Sequence, residues 1–132
     1  MSKLLNSDVA SEASEMNAAL MCDSGNLDGA IHHYRRLIEK QPAKWDLLAK
    51  LIPLLRRKGE LDRVPDILEE MDDMNSPGRS FCLGLADYYA LRTERAMHHL
   101  IAAKRSPKWR TPALQTMIRL CLGILSACKI TN

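Results

Sequence analysis

The stretch Gly25-Asn26-Leu27-Asp28-Gly29-Ala30-Ile31-His32-His33-Tyr34-Arg35-Arg36-Leu37 returns 34 residues later as Gly59-Glu60-Leu61-Asp62-Arg63-Val64-Pro65-Asp66-Ile67-Leu68-Glu69-Glu70-Met71. Gly, Leu and Asp keep the same register, Ala30 is answered by Val64, Tyr34 by Leu68 and Leu37 by Met71. A repeat of this length marks a chain built from stacked helix pairs. A small residue lets the paired helices approach, a glycine ends the first helix in a left-handed turn, and a proline closes the unit. The first unit supplies Ala18, Gly25, Ala30, Tyr34 and Pro42 in these roles.

Thirty-four residues is the tetratricopeptide period. Downstream, a third unit carries Leu83-Gly84, Ala96, Leu100, Ala103 and Pro107 at an offset of 32, the shortening falling at Asn75-Ser76-Pro77-Gly78. Leu91 stands where Gly25 and Gly59 stand, so Arg92-Thr93-Glu94 must complete that turn without a glycine. Thr111-Pro112 reads as the cap and first turn of one more helix. Leu114, Met117, Ile118, Cys121, Leu122 and Leu125 follow it at helical spacing, and this stripe is expected to pack back on the third unit, with Ile124 and Ile130 off it. Helices are predicted over 9–23, 27–40, 45–57, 61–74, 79–91, 95–105 and 111–127. Pro53, inside the third of them, is expected to bend or open it. The fold class is therefore all-α: a tetratricopeptide-type α-solenoid of three helix pairs plus a seventh, unpaired helix. The expected organisation is a tail at 1–10, repeats at 11–44, 45–78 and 79–109, a C-terminal helix at 110–127 and a tail at 128–132.

Composition agrees with this reading. The 132 residues suit one domain, 46% apolar content is too high for disorder, and 5% aromatics with abundant Leu, Ala and Met favour helix over sheet. A net charge of +3 is too balanced for a protein that coats polyanions. The charge is uneven, however: −1 over 1–44, −3 over 45–78 and +7 over 79–132. Cys22, Cys82, Cys121 and Cys128 form no C-x-x-C and read as reduced packing residues of a cytosolic chain. The N-terminus turns polar after Leu4-Leu5, unlike a secretory leader. Gln115, Arg119 and Lys129 interrupt the most apolar stretch, so a soluble protein without membrane insertion is expected.

No phosphate-binding, zinc-protease, dinucleotide or nucleophile-elbow motif is present, so neither an enzyme nor a cofactor site is expected. His32-His33 and His98-His99 are adjacent pairs, and neighbours on a helix diverge by about 100°, which rules out chelation by one pair. The acids between Glu60 and Asp73 beside Arg56-Arg57-Lys58 match helix dipoles, with partner recognition as the alternative. Lys104-Arg105, Lys108 and Arg110 form a basic loop without aromatics at a groove, so no nucleic acid is expected as partner. Two protein-binding surfaces remain. The concave face, lined by the first helix of each unit, would show Glu12, Glu15, Ala19 and Pro53 and offers Lys50, Arg57, Cys82, Leu85 and Tyr89 as contacts. It lacks the paired Lys/Asn and Lys/Arg set that clamps a C-terminal carboxylate, so a helix or mixed extended segment would suit it. The open end offers Leu122, Ile124 and Leu125 as a site for a missing partner helix, another subunit or self-association through the C-terminal helix.

Leu48-Ala49, Leu51-Ile52, Leu54-Leu55-Arg56-Arg57, Gly59 and Leu61 resemble the Leu-Ala-x-Leu-Ile-x-Leu-Leu-Arg-Arg-x-Gly-x-Leu run of the ciliary tetratricopeptide repeat protein 21 family. Phe81-Cys82-Leu83-Gly84-Leu85, Trp109, Ala113-Leu114, Met117-Ile118 and Cys121-Leu122 are similar to it as well, and the resemblance covers 27–122. The tail 123–132 and the glycine-free turn at Leu91 depart from the pattern. Family members are much longer, so a fragment or short form is expected. The resemblance implies a scaffold of intraflagellar transport complex A in retrograde ciliary transport. It would act in the cytoplasm, cilium and ciliary base, with the complex's other subunits as partners. The alternative is a free-standing tetratricopeptide adaptor that binds peptides in its groove.

Overall fold

The computed structural model describes the backbone of residues 2–131 and the side chains of 12–124. It contains α1 (Ser2–Asp23), α2 (Leu27–Lys40), α3 (Trp45–Lys58), a 3-10 turn (Leu61–Arg63) that runs into α4 (Val64–Glu70), α5 (Pro77–Tyr89), α6 (Thr93–Ala103) and α7 (Pro107–Thr131). No strand occurs among the described residues, and the chain is all-α. It divides into two compact units, Met1–Asp72 and Asp73–Asn132.

One turn is used three times. After α1, the Gly25 amide donates to the Cys22 carbonyl and the Asn26 amide to that of Met21. After α3, the Gly59 and Glu60 amides donate to the Arg56 and Leu55 carbonyls. After α5, the Leu91 and Arg92 amides donate to the Tyr88 and Asp87 carbonyls. This is the helix-ending motif whose hinge residue must take positive φ, and the hinges are Gly25 at +87°, Gly59 at +77° and Leu91 at +64°. The repeat read from glycine spacing is thus a repeat of hydrogen-bonded turns. At Leu91 it persists although the residue carries a Cβ.

In the first unit, α2 packs against α1 and α3. Ala18 on α1 and Ala30 on α2 have no exposed surface, as close helix approach demands. Ile31, Tyr34, Leu37 and Ile38 of α2 and Leu47, Leu48, Leu51, Ile52 and Leu55 of α3 build the core. The Asn26 side chain caps α2 by accepting from the Gly29 amide at 3.0 Å. α3 does not open at Pro53 but continues through it as one helical segment, with Leu51, Ile52, Leu54 and Leu55 buried on both sides of the ring. The single helix predicted over 61–74 is instead a 3-10 turn followed by a helix ending at Glu70. Pro65 has no N–H and fits only the first turn of α4, so the preceding residues wind more tightly. Beyond Glu70, buried Met71 is extended, and the Asp72 amide donates to the Pro42 carbonyl at 2.8 Å.

In the second unit, α5, α6 and α7 pack on one another. A Cβ at Gly84 would lie 2.8 Å from Leu100 Cγ, so only glycine lets α5 and α6 meet at this spacing. Leu100, Ala96 and Ala103 are fully buried. Phe81 on α5 stacks on Trp109 of α7 with ring centroids 5.2 Å apart. The expected tails at 1–10 and 128–132 lie largely in helix, since α1 begins at Ser2 and α7 continues to Thr131.

Candidate protein-docking surfaces

α7 starts at Pro107, not at Thr111, with the Trp109 amide donating to the Ser106 carbonyl. Its inner face is Trp109, Ala113, Thr116 and Leu120, all buried. These positions recur at intervals of four, three and four, one side of a helix. The stripe Leu114, Met117, Ile118, Cys121 and Leu122, expected to pack inward, therefore turns away from the core. Only Met117, at its border, is half-buried; Leu114 is 40% exposed, Ile118 59% and Leu122 58%. The correction has a simple cause: α7 is apolar on two sides, and Trp109, placed before the predicted helix start, selects the inner one by stacking on Phe81.

The open-end candidates Leu122 and Ile124 are exposed, and the side chain of Leu125 lies outside the described residues. Cations border the outward stripe. On a helical projection Arg110 falls on one side of it and Lys108 and Arg119 on the other, all exposed. No Asp or Glu occurs from residue 95 to the end of the sequence.

The concave-face candidates are placed differently. Lys50 and Arg57 are exposed on α3, with Arg57 Nη1 3.5 Å from Cys22 Sγ. Cys82 and Leu85 are buried in the second unit's core and present no contact surface, because α5 is covered by both α6 and α7. Tyr89 is half-buried beside Tyr88.

A cleft of about 290 Å³ lies in the first unit among Asp28, Ile31, His32, Arg35, Arg36, Glu39, Glu60 and Arg63. Most of its charges are matched locally: Arg35 pairs with Glu70 at 3.3 Å, Arg63 with Glu60 at 3.6 Å, and Lys58 with Asp28. It brings together no nucleophile and base and no metal-ligand set; no group of three or more metal-ligating side chains occurs among the described residues. His98 and His99 meet edge to face, and His99 Nε2 approaches Asp87 at 3.8 Å. Among the described residues, no helix is long and apolar enough to cross a membrane.

One surface is not foreshadowed by the concave-face reading. On α1, Met16 is 66% and Leu20 62% exposed, one helical turn apart, with exposed Glu12 and Asp23 along one edge. Sequence already carries its signal, an apolar i, i+4 pair within a run from 4 to 34 that has no Lys or Arg.

The family model described as "TT21 fifth ARM repeats domain" matches residues 11–122. The chain is 31% identical over 116 residues to Tetratricopeptide repeat protein 21A of Homo sapiens, covering 84% of this chain and 9% of that protein. It is 28% identical over 125 residues to Tetratricopeptide repeat protein 21B of Xenopus laevis, covering 91% and 10%. With the Tetratricopeptide repeat protein 21 homolog of Caenorhabditis briggsae the identity is 32% over 117 residues, covering 80% and 9%. The chain thus spans about one tenth of the length of these relatives.

Proposed function

The chain belongs to the tetratricopeptide repeat protein 21 family, and from that premise we propose that it is a non-catalytic interaction scaffold of intraflagellar transport complex A, supporting retrograde ciliary transport. On this reading it acts in the cytoplasm, cilium and ciliary base, and its partners are the other subunits of that complex. The observation that carries the reading is the two-faced character of α7. One face completes a core with Trp109, Ala113 and Leu120, while the other repeats Leu114, Ile118 and Leu122 toward solvent. An apolar helix face of this extent serves contact with another protein. Burial of Cys82 and Leu85 weighs against the peptide-binding adaptor, which would need them in its groove.

The test is capture from extracts of ciliated cells on the immobilised 132-residue chain, followed by identification of the retained proteins. Subunits of complex A should be retained by the wild-type chain and depleted when Leu122→Glu is immobilised instead. Retention of none of them by a folded wild-type chain would overturn the proposal.

A further inference from the structure

We propose that the outward face of α7 docks on the outward face of α1 of a second copy of this chain, giving head-to-tail association. This rests on reading the α7 face as a docking surface and adds a second copy of the chain as a competitor for it. The two faces complement each other in both terms that govern such a contact. Each presents apolar residues one helical turn apart, Leu114, Ile118 and Leu122 on α7 and Met16 and Leu20 on α1. Their borders have opposite sign: Arg110 and Arg119 flank the α7 stripe, and Glu12 and Asp23 edge the α1 pair.

The segregation extends beyond the contact residues. Residues 4–34 contain no Lys or Arg, and residues 95–132 contain no Asp or Glu; the cations that approach α1, Lys44 at Glu15 and Arg57 at Cys22, do so on its side toward α3, away from Met16 and Leu20. The same segregation excludes the symmetric alternatives. Two α7 faces would bring arginines together and two α1 faces would bring carboxylates together, each repulsive where an apolar contact excludes water. The contact is therefore between unlike surfaces, α7 of one copy on α1 of another. Two turns of apolar surface on α7 and one on α1 fall short of a standard interface, so association is weak, concentration-dependent and weakened by salt.

Sedimentation velocity on the full 132-residue chain tests this. The weight-average sedimentation coefficient should rise with concentration, and raising the salt from about 50 to about 500 mM should lower it. Ile118→Asp on α7 and Leu20→Asp on α1, both at exposed positions, should each weaken self-association about tenfold or more, with an unchanged circular dichroism spectrum. Mixing the two variants is decisive. The intact α1 of the first pairs with the intact α7 of the second, so the mixture forms one-to-one complexes that grow no further, which also shows that both variants are folded.

A wild-type chain that stays monomeric across the concentration range overturns the proposal. So does a closed dimer lost with Ile118→Asp, indifferent to Leu20→Asp and not restored by mixing. Either result leaves the scaffold reading standing if complex A subunits are still captured. Loss of capture with self-association intact would overturn that reading alone.

Discussion

Leu91 is the residue at which the repeat is most strained. A side chain in the left-handed region costs about 1–2 kcal/mol because its Cβ crowds the following carbonyl. This leucine takes φ +64° and recovers nothing by burial, being 87% exposed. The turn is held from both sides instead: the Arg92 amide donates to the Asp87 carbonyl at 2.9 Å and Arg92 Nη1 to Asp87 Oδ1 at 3.3 Å. Leu91→Gly should remove the strain while adding some unfolded-state entropy, a net gain of about 0.5–1 kcal/mol and a melting temperature higher by a few degrees. A lower melting temperature would show that the leucine contributes to packing. The same clasp brings in His99, whose pKa lies below 6.5 chiefly because burial disfavours its charged form. The Asp87 carboxylate pulls the other way, while His98, Arg95 and Arg79 add to the lowering. The unfolded chain therefore takes up the proton more readily than the folded one. The stability this group contributes is present above its ordinary pKa and is lost as pH falls through 6.5 toward the depressed folded value. Between about pH 7.5 and pH 5 the fall in melting temperature should be smaller in His99→Gln than in the wild-type chain. Equal falls in the two chains would place the acid sensitivity elsewhere.

At the scale of one helix, α3 accommodates a residue that helices exclude. Pro53 can donate no hydrogen bond to the Ala49 carbonyl, a defect that costs up to about 3 kcal/mol with the ring's clash included. The helix persists because its neighbours are buried on both sides of the ring. Pro53→Ala should restore the donor and raise stability by about 1–3 kcal/mol, read from urea unfolding as a higher midpoint at unchanged slope. A lower midpoint would mean that the half-buried ring is needed where it sits. Helices were legible in the sequence where punctuation was unambiguous: Gly25 and Gly59 mark the ends of α1 and α3. They were less legible where prolines compete. Thr111-Pro112 imitates a helix start, yet α7 begins at Pro107 and carries Pro112 inside it. That displacement hid Trp109, and with it the fact that α7 packs through Ala113, Thr116 and Leu120. Periodicity reports that a helix has an apolar side, but when two sides are apolar only a tertiary partner, here Phe81, decides which one is buried. The α1 surface follows from a residue that sequence did identify: with Ala18 on the inner face, Met16 and Leu20 fall on the outer one.

Across the whole chain, the division into two compact units allows a test of where folding information resides. The second unit holds all the contacts that define it within 73–132: the Gly84–Leu100 approach, the Phe81–Trp109 stack, the Asp87–Arg92 clasp and buried Leu120. A segment of about 60 residues buries only about 60% of the surface its unfolded chain exposes, so a unit of this size is marginal when isolated. Short-range helix pairing favours it, because each helix finds its partner across a turn of a few residues. Residues 73–132 alone should therefore show helical circular dichroism and a cooperative melt at lower temperature than the full chain. The indole of Trp109, only 8% exposed in the full chain, supplies a local reporter. It is the sole tryptophan in that segment, as Trp45 is in the other unit. Its emission should be blue-shifted in the folded segment and move to the red in the same transition that abolishes the helical signal. Helical signal without a blue-shifted, cooperatively lost emission would show that α7 does not dock on α5 and α6 without the first unit. The outward stripe Leu114, Ile118 and Leu122 would then lack the inner contacts that orient it, and its place on an intact surface would depend on the full chain.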